Sequence, residues 1–187
     1  GVAILNRDNS QFAHLAARAN LMGVKNIISF GADAAADIRV VNFEAGANFS
    51  DVTAEFADET FEYRISIPGQ HWVINSLGVL GGVAAVGGNI VAAAIVLKNL
   101  SPPKGRGQTC KVQLPNGDFT LIDDSYNASP VSVAAALSVL GRVGVGANGR
   151  RIAVLGDMLE LGADSIRHHQ DLAVPLRENK IDLVFTA

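Results

Sequence analysis

Residues 2–30, VAILNRDNSQFAHLAARANLMGVKNIISF, carry two short apolar runs on either side of a stretch with helical spacing. The runs VAILN and KNIISF are typical of buried parallel strands. Between them, from Ser10 to Met22, apolar side chains recur every three or four residues, and a glycine follows. A strand, a helix and a second strand within about thirty residues predict a right-handed βαβ unit. The sequence therefore predicts an α/β fold.

The pattern changes from helical spacing to partial alternation in the next part of the chain. Three short segments, separated by Gly, Asn and Asp, predict antiparallel strands at residues 38–45, 51–56 and 61–67. Because these strands follow a parallel pair, we expect a mixed sheet.

A long uncharged stretch, Leu77 to Leu97, has the length of a membrane span. Its many Gly and Ala residues make it small rather than strongly apolar, and Gly87-Gly88-Asn89 is typical of a helix end followed by an N-cap. We therefore expect two short helices between residues 71 and 100, packed closely through small side chains, and no membrane span.

Residues 101–107, SPPKGRG, are interrupted by Pro and Gly and predict a linker. Beyond the linker, residues 109–114 and 119–123 predict a hairpin, and residues 130–140 predict an amphipathic helix that begins with proline. A strand, a helix and a strand are then predicted at residues 151–155, 165–177 and 181–185.

These elements predict two domains, residues 1–104 and residues 105–187. The first is expected to contain a mixed sheet, and the second to be Rossmann-like. The chain lacks an initiator Met and opens on a predicted buried strand, so we expect it to be a fragment with its start further upstream.

The composition excludes several classes of function. The chain is 49% hydrophobic and 18% charged with a net charge of −3, which is typical of a soluble globular protein. It has no basic cluster, so we expect no nucleic-acid partner. A single cysteine, Cys110, excludes an internal disulfide framework and indicates a reducing compartment. The first residues do not form a signal peptide.

Polar side chains cluster where the first helix after the sheet is predicted to start. His71 and Asn75 would lie on one face of this helix near its N-terminus, which attracts phosphate. Capping and core packing remain the alternative for both residues. In the linker, Arg106 lies between two glycines, where it can approach an anion closely and bind it bidentately, although a merely flexible linker is the alternative.

Two adjacent carboxylates, Asp123 and Asp124, follow a predicted strand and open the segment DDSYNASP. Hydroxyl and amide groups come next and lead into a helix. Ligands bind at the carboxyl ends of strands in an α/β sheet, so this segment is a candidate binding site. A turn held by an aspartate side chain is the alternative.

The segment GDMLELG also follows a predicted strand and contributes Asp157 and Glu160. His168 and His169 lie downstream on a predicted helix. Paired histidines on a helix are more typical of a solvated face than of metal ligands, and no partner stands at metal-ligand spacing. We therefore expect no metal site within this chain.

Four segments, PGQHWVIN, GRG, DDSYNASP and LGDMLELG, occur here in the order and approximate spacing of the Mur ligases. The chain resembles this family over essentially its whole length. The resemblance is greatest to members that join D-alanyl-D-alanine to UDP-N-acetylmuramoyl-tripeptide. It implies ATP-dependent amide ligation through an acyl phosphate, with Mg²⁺, during peptidoglycan precursor synthesis in the bacterial cytoplasm. The first domain would then be the ATP-binding central domain and the second the C-terminal domain, both partial, with small-molecule substrates as their partners.

The resemblance implies nucleotide-binding roles by position. His71 and Asn75 fall where the family contacts the nucleotide base. Arg106 matches the interdomain arginine that reaches the ATP phosphates. Asp124, with Asp123 beside it, matches the C-terminal-domain aspartate that holds the nucleotide, so Arg106 and Asp124 are the expected catalytic residues.

Three further assignments follow from the same resemblance. Asn127 falls where the C-terminal domain approaches the phosphates, and Asp157 and Glu160 would lie near the incoming dipeptide. The chain departs from the family pattern at Trp72, where many members carry Asn, and at Ser129, which replaces the second Asn of the usual YNANP.

Two other functions remain open at this stage. One is another amide ligase of the same superfamily, such as a folylpolyglutamate synthase or a ligase for a different wall residue. The other is a nucleotide-binding module without catalysis. The resemblance also implies an upstream uridine-nucleotide domain, a phosphate loop and a modified lysine that holds magnesium, so we expect this chain alone to be inactive.

Overall fold

The computed structural model describes residues 1–46 and 48–187 and divides into two compact units. The first unit comprises Gly1–Leu100 and the second Ser101–Ala187. Within the described residues, no helix has the length and apolar character needed to cross a membrane.

The first unit is built on a five-stranded sheet whose strands lie side by side in chain order. The strands are β1 (Val2–Asn6), β2 (Asn26–Gly31), β3 (Ile38–Ala45), β4 (Ser50–Phe56) and β5 (Glu59–Ile65). β1, β2 and β3 pair in parallel, whereas β3, β4 and β5 pair antiparallel. The mixed sheet is thus confirmed. The antiparallel strands are confirmed too, and β3 joins the two parts of the sheet, because it is parallel to β2 on one side and antiparallel to β4 on the other.

Three helices belong to the first unit: α1 (Phe12–Leu21), α2 (Gln70–Ala85) and α3 (Ile90–Val96). α1 connects the parallel strands β1 and β2, which confirms the βαβ unit. The uncharged stretch is divided between α2 and α3, as predicted. Asn89 caps α3, because its side-chain oxygen accepts a hydrogen bond from the Ala92 amide at 2.9 Å.

The core of the first unit lies between α2 and the sheet. β5, which alternates buried with exposed residues, packs mainly against α3 and the residues that follow it, whereas α2 packs on β1, β2 and β3. The fully buried helix residues at this contact include Val73, Leu77 and Leu80. Gly78 and Gly81 allow a close approach, since a Cβ at these positions would lie 3.0 Å from Phe30 Cζ and from Ile4 Cγ2, respectively. α2 is therefore held firmly on the sheet.

A buried chain of hydrogen bonds joins β5 to α2. The Ser76 hydroxyl donates to the Val73 carbonyl at 2.7 Å, and the hydroxyls of Tyr63 and Ser76 are 2.6 Å apart. Because the Ser76 proton is committed to Val73, the Tyr63 hydroxyl donates to Ser76 Oγ. Burial raises the pKa of Tyr63 to about 12, and the hydrogen bond to Ser76 offsets only part of this shift.

We expect Tyr63 to make the first unit unstable at alkaline pH. An unfolded tyrosine has a pKa of about 10, so the stability that depends on neutral Tyr63 is complete below that pH and is lost as pH rises through about 12. The shift corresponds to about 2–3 kcal/mol. Urea unfolding at pH 8 and pH 12 measures this loss, and the difference between wild type and Tyr63→Phe isolates it. An equal loss in both proteins would contradict the assignment.

The second unit contains a hairpin and a parallel strand pair. The hairpin strands are β6 (Gln108–Leu114) and β7 (Gly117–Asp123), and the parallel strands are β8 (Ile152–Leu155) and β9 (Leu183–Thr186). The helices are α4 (Pro130–Arg142), α5 (Ser165–Asp171) and α6 (Ala173–Glu178). Together with the mixed sheet of the first unit, these elements confirm the α/β class.

One expectation for the second unit is wrong. The single helix predicted at residues 165–177 is divided at Leu172 into α5 and α6. Pro175 explains the division, because proline has no N–H to bond the Asp171 carbonyl and its ring crowds that carbonyl. The predicted hairpin is confirmed, since β6 and β7 pair antiparallel in a sheet of their own. The rule for carboxyl ends of parallel strands therefore does not apply to Asp123.

Candidate functional site

The start of α2 is fixed by its backbone and by one buried serine. Gly69 precedes the helix with a φ of 120°, which strains any residue with a side chain. The Gly69 amide lies 3.3 Å from Ser50 Oγ, and the Ser50 hydroxyl donates to the Ile67 carbonyl at 3.1 Å. Because Ser50 is completely buried, the segment entering α2 is anchored to the sheet.

His71 and Asn75 lie one turn apart at the N-terminal end of α2. Asn75 is exposed, so core packing does not explain it. Side-chain capping does not explain either residue, because the N-cap position is Gly69. Trp72 packs against the core of the first unit, and its ring centroid lies 5.6 Å from that of His71. The departure at Trp72 is thus accounted for by packing.

The linker arginine and the acidic segment are joined by backbone hydrogen bonds. The Gly107 amide donates to the Asp123 carbonyl at 2.8 Å, and the Tyr126 amide donates to the Gly105 carbonyl at 3.0 Å. Arg106 lies in the chain between the two bonded glycines, and Asp124 lies between their two partners, Asp123 and Tyr126. Two segments that were separate in the sequence are therefore one structural feature, which we call the arginine–acid turn (residues 105–107 and 123–126).

Glycine is required at position 105 of this turn. Gly105 has a φ of 72°, and a Cβ there would lie 3.1 Å from the Tyr126 amide nitrogen. A side chain would thus be strained and would push the two segments apart.

Tyr126 orients the arginine of the turn, although the sequence did not single it out. The Arg106 guanidinium carbon lies 4.1 Å from the centroid of the Tyr126 ring. Stacking through the face of a guanidinium leaves its N–H groups directed along its edges, where they can bind a phosphate bidentately. The signal in the sequence that could have identified Tyr126 is its position, two residues after the acid pair.

Asp123 braces the turn with its carboxylate. Its Oδ1 accepts hydrogen bonds from the Ser125 hydroxyl at 2.6 Å and the Ser125 amide at 3.2 Å. The Ser125 hydroxyl, followed by the Ser125 amide, holds the pKa of Asp123 below its usual range. The alternative of a side-chain-held turn therefore describes Asp123, and the half-buried residue Asp124 follows it directly.

Asn127 is exposed just before α4, and Ser129 caps that helix. The Ser132 amide donates to Ser129 Oγ at 3.2 Å, and the Ser129 amide donates to Ser132 Oγ at 2.8 Å. This reciprocal pair is a capping box. Asparagine and serine are equally good N-caps, so Ser129 performs the same local task as the asparagine that it replaces.

We expect Ser129→Ala to destabilise the second unit by about 1 kcal/mol, because the first turn of α4 loses its cap. Ser129→Asn should change stability by no more than a few tenths of that amount. Urea unfolding of both variants measures the difference. An alanine variant as stable as the asparagine variant would contradict the capping role.

The segment GDMLELG follows β8, and His169 on α5 holds it in place. His169 Nε2 lies 3.1 Å from the Met158 amide nitrogen and 2.9 Å from Asp157 Oδ1, while Nδ1 lies 2.8 Å from the Ser165 carbonyl. Met158 is buried, whereas Asp157 and Glu160 are exposed. The interpretation of His169 as part of a solvated face is therefore wrong, because its ring contacts the backbone on both sides.

Each unit matches one domain of a known enzyme family. The Mur ligase middle domain matches residues 1–83, and the Mur ligase glutamate ligase domain matches residues 105–187. The two matches follow each other along the chain without overlap.

Named relatives agree with these domain matches. UDP-N-acetylmuramoyl-tripeptide–D-alanyl-D-alanine ligase of Escherichia coli is 29% identical over 187 residues, which are 100% of this chain and 39% of that protein. The Bacillus subtilis ligase of the same name is 33% identical over 143 residues, 76% of this chain and 29% of that protein.

A solved structure resembles the whole chain. The crystal structure of MurF from Acinetobacter baumannii superposes with a TM-score of 0.82 at 28% identity, covering 100% of this chain and 38% of that one. This chain spans about two fifths of the length of the relatives that it matches in full. With both domains matched in order and the fold shared throughout, the chain belongs to the Mur ligase family.

Proposed function

We propose that the whole protein containing this chain is an ATP-dependent ligase that joins D-alanyl-D-alanine to UDP-N-acetylmuramoyl-tripeptide in the bacterial cytoplasm. The arginine–acid turn is the observation that carries this proposal, because its backbone hydrogen bonds join the segment of Arg106, our candidate phosphate-binding cation, to the segment of Asp124, our candidate nucleotide-binding acid. Named relatives with this activity support the choice of substrates. We place the boundary between the central and C-terminal domains at residues 104 and 105.

The proposed reaction has two steps. The carboxylate of the tripeptide attacks the γ-phosphorus of ATP, and ADP leaves, so that an acyl phosphate forms. The ammonium group of the dipeptide then loses a proton, the resulting amine attacks the acyl carbon, phosphate leaves, and the nitrogen loses a second proton. Both steps move negative charge onto phosphate oxygens, which a fixed cation stabilises.

Arg106 supplies that cation in our proposal. Its backbone is fixed between two bonded glycines and its guanidinium is stacked on Tyr126, so little reorganisation is needed when phosphate arrives. Asp124, on the other side of the turn, accepts hydrogen bonds from the nucleotide. Asn127 lies near the phosphates, and Asp123 acts mainly by bracing the turn and adding negative charge beside Asp124.

The start of α2, in the first unit, carries further candidate nucleotide-binding residues. Asn75 is exposed and able to bind an adenine edge through its amide, and His71 lies one turn before it. The anchored entry to the helix keeps both side chains in place.

Magnesium ligation is assigned to residues elsewhere in the whole protein. Within residues 1–46 and 48–187, no group of three or more His, Cys, Asp or Glu side chains could hold a metal ion. In our proposal, Arg106 is therefore the residue of this chain that stabilises negative charge on the phosphates. The carboxylates of Asp157 and Glu160 instead attract the ammonium group of the incoming dipeptide.

The test measures ADP release by the full-length protein with ATP, Mg²⁺, UDP-N-acetylmuramoyl-tripeptide and D-alanyl-D-alanine. We expect release that requires both substrates, with little or none when another wall amino acid replaces the dipeptide. Residues 1–187 alone, tested in parallel, are expected to be inactive. ATP-analogue binding without any acceptor-dependent ADP release would favour a non-catalytic nucleotide-binding module, and release with a different acceptor would favour another ligase of the superfamily.

A further inference from the structure

His169 joins α5 to the segment that carries Asp157 and Glu160. Resting on the proposed function, we propose that His169 is a positioning residue for the second step of the reaction. It fixes the Asp157 carboxylate where that carboxylate can receive the ammonium group of the dipeptide. The residue itself does not contact the reacting atoms.

The hydrogen bonds of the ring determine its tautomer. A carbonyl oxygen can only accept, so the contact between Nδ1 and the Ser165 carbonyl at 2.8 Å requires a proton on Nδ1. In the neutral ring, Nε2 is then an acceptor, and the Met158 amide donates to it at 3.1 Å. The tautomer with its proton on Nε2 alone is excluded by the Ser165 contact.

Asp157 competes with Met158 for the same ring nitrogen. Asp157 Oδ1 lies 2.9 Å from Nε2, a contact that is favourable only when Nε2 carries a proton. The neutral ring therefore holds the backbone of Met158, and the protonated ring holds the Asp157 carboxylate. In either state the ring is bonded to one of two consecutive residues of the segment after β8, and it therefore keeps Asp157 beside it.

Met158 and Asp157 differ in solvent exposure and therefore in role. Met158 is 2% exposed and anchors the segment in the core of the second unit. The Asp157 side chain is 66% exposed, so it faces solvent while its Oδ1 is held by the ring. A carboxylate that is held in place yet accessible can receive a ligand ammonium group without first being ordered. Removing His169 should therefore weaken dipeptide binding and leave ATP binding unaffected.

The experiment uses the full-length protein with four changes: His169→Ala, His169→Gln, Asp157→Ala and the double variant His169→Ala/Asp157→Ala. His168→Ala is the matched control, since among the described residues no hydrogen bond or ion pair involves its side chain. KM for D-alanyl-D-alanine, KM for ATP and kcat are measured for each, together with the melting temperature.

We expect His169→Ala to raise KM for the dipeptide by about tenfold, the scale of one lost hydrogen bond to a charged group, with KM for ATP within about twofold of wild type. His169→Gln should recover most of this loss, because its amide offers both an acceptor to Met158 and a donor to Asp157. The double variant should be no worse than Asp157→Ala, because His169 acts through that carboxylate. His168→Ala should match wild type.

Several results would overturn the proposal. An unchanged dipeptide KM in His169→Ala, equal changes in both KM values, or additive losses in the double variant would each show that His169 does not act through Asp157. If His169→Ala fails to fold, the comparison of His169→Gln with Asp157→Ala still decides, since Gln should bind the dipeptide better. Absence of dipeptide-dependent ADP release in wild type would instead refute the proposed function.

Discussion

Replacing Arg106 by alanine is expected to lower kcat of the full-length protein by about 10²–10³-fold, the usual cost of removing one preorganised group that stabilises developing charge. Stability should hardly change. Arg106 is exposed and its stacking on Tyr126 contributes only about 0.5–1 kcal/mol at such a site. A large catalytic loss with a small change in melting temperature is the signature of a residue that acts on the phosphates.

Three further variants separate charge from geometry. Arg106→Lys keeps the charge but loses the planar, bidentate edge, so it should recover only part of kcat. Tyr126→Phe keeps the ring under the guanidinium and should remain near wild type, whereas Tyr126→Ala removes the platform. Steady-state kinetics with saturating dipeptide measures all four proteins. A wild-type kcat in Arg106→Ala would show that Arg106 does not act on the phosphates.

Most of the fold could be predicted from the sequence because its elements are locally specified. The period of the apolar residues distinguishes α1 from the strands on either side of it, and Gly87-Gly88-Asn89 separates α2 from α3. The parallel pairing of β3 with β2 could not be predicted, since strand direction depends on partners far along the chain. The break at Leu172 was foreseeable from Pro175 but is hidden by a helical pattern that continues through it.

The candidate site could be predicted in its residue types but not in its contacts. The sequence shows Arg106 and Asp124 as separate candidates, and only the folded backbone shows that Gly105 and Gly107 tie the two segments together. His169 was misjudged for a related reason. Its partners are a backbone amide and a backbone carbonyl, which every residue possesses, so no side-chain pattern marks the contact.

Replacing Leu77 by alanine is expected to destabilise the first unit by about 3–5 kcal/mol, the cost of a cavity at a fully buried leucine. Leu77 is 0% exposed and lies in the core where α2 packs on the sheet. Val79→Ala, on the same helix but 55% exposed, is the matched control and should change stability by no more than about 0.5 kcal/mol. Urea unfolding compares the two variants.

The same change should also weaken nucleotide binding, although Leu77 is buried in the core and is not a candidate site residue. α2 carries His71 and Asn75, and its position depends on the buried face that Leu77 helps to form. We therefore expect the Leu77→Ala protein, at temperatures where it remains folded, to bind an ATP analogue less tightly than the Val79→Ala protein. A large stability loss with unchanged nucleotide affinity would mean that the start of α2 is held by the Ser50 and Gly69 contacts alone, independently of the core beneath it.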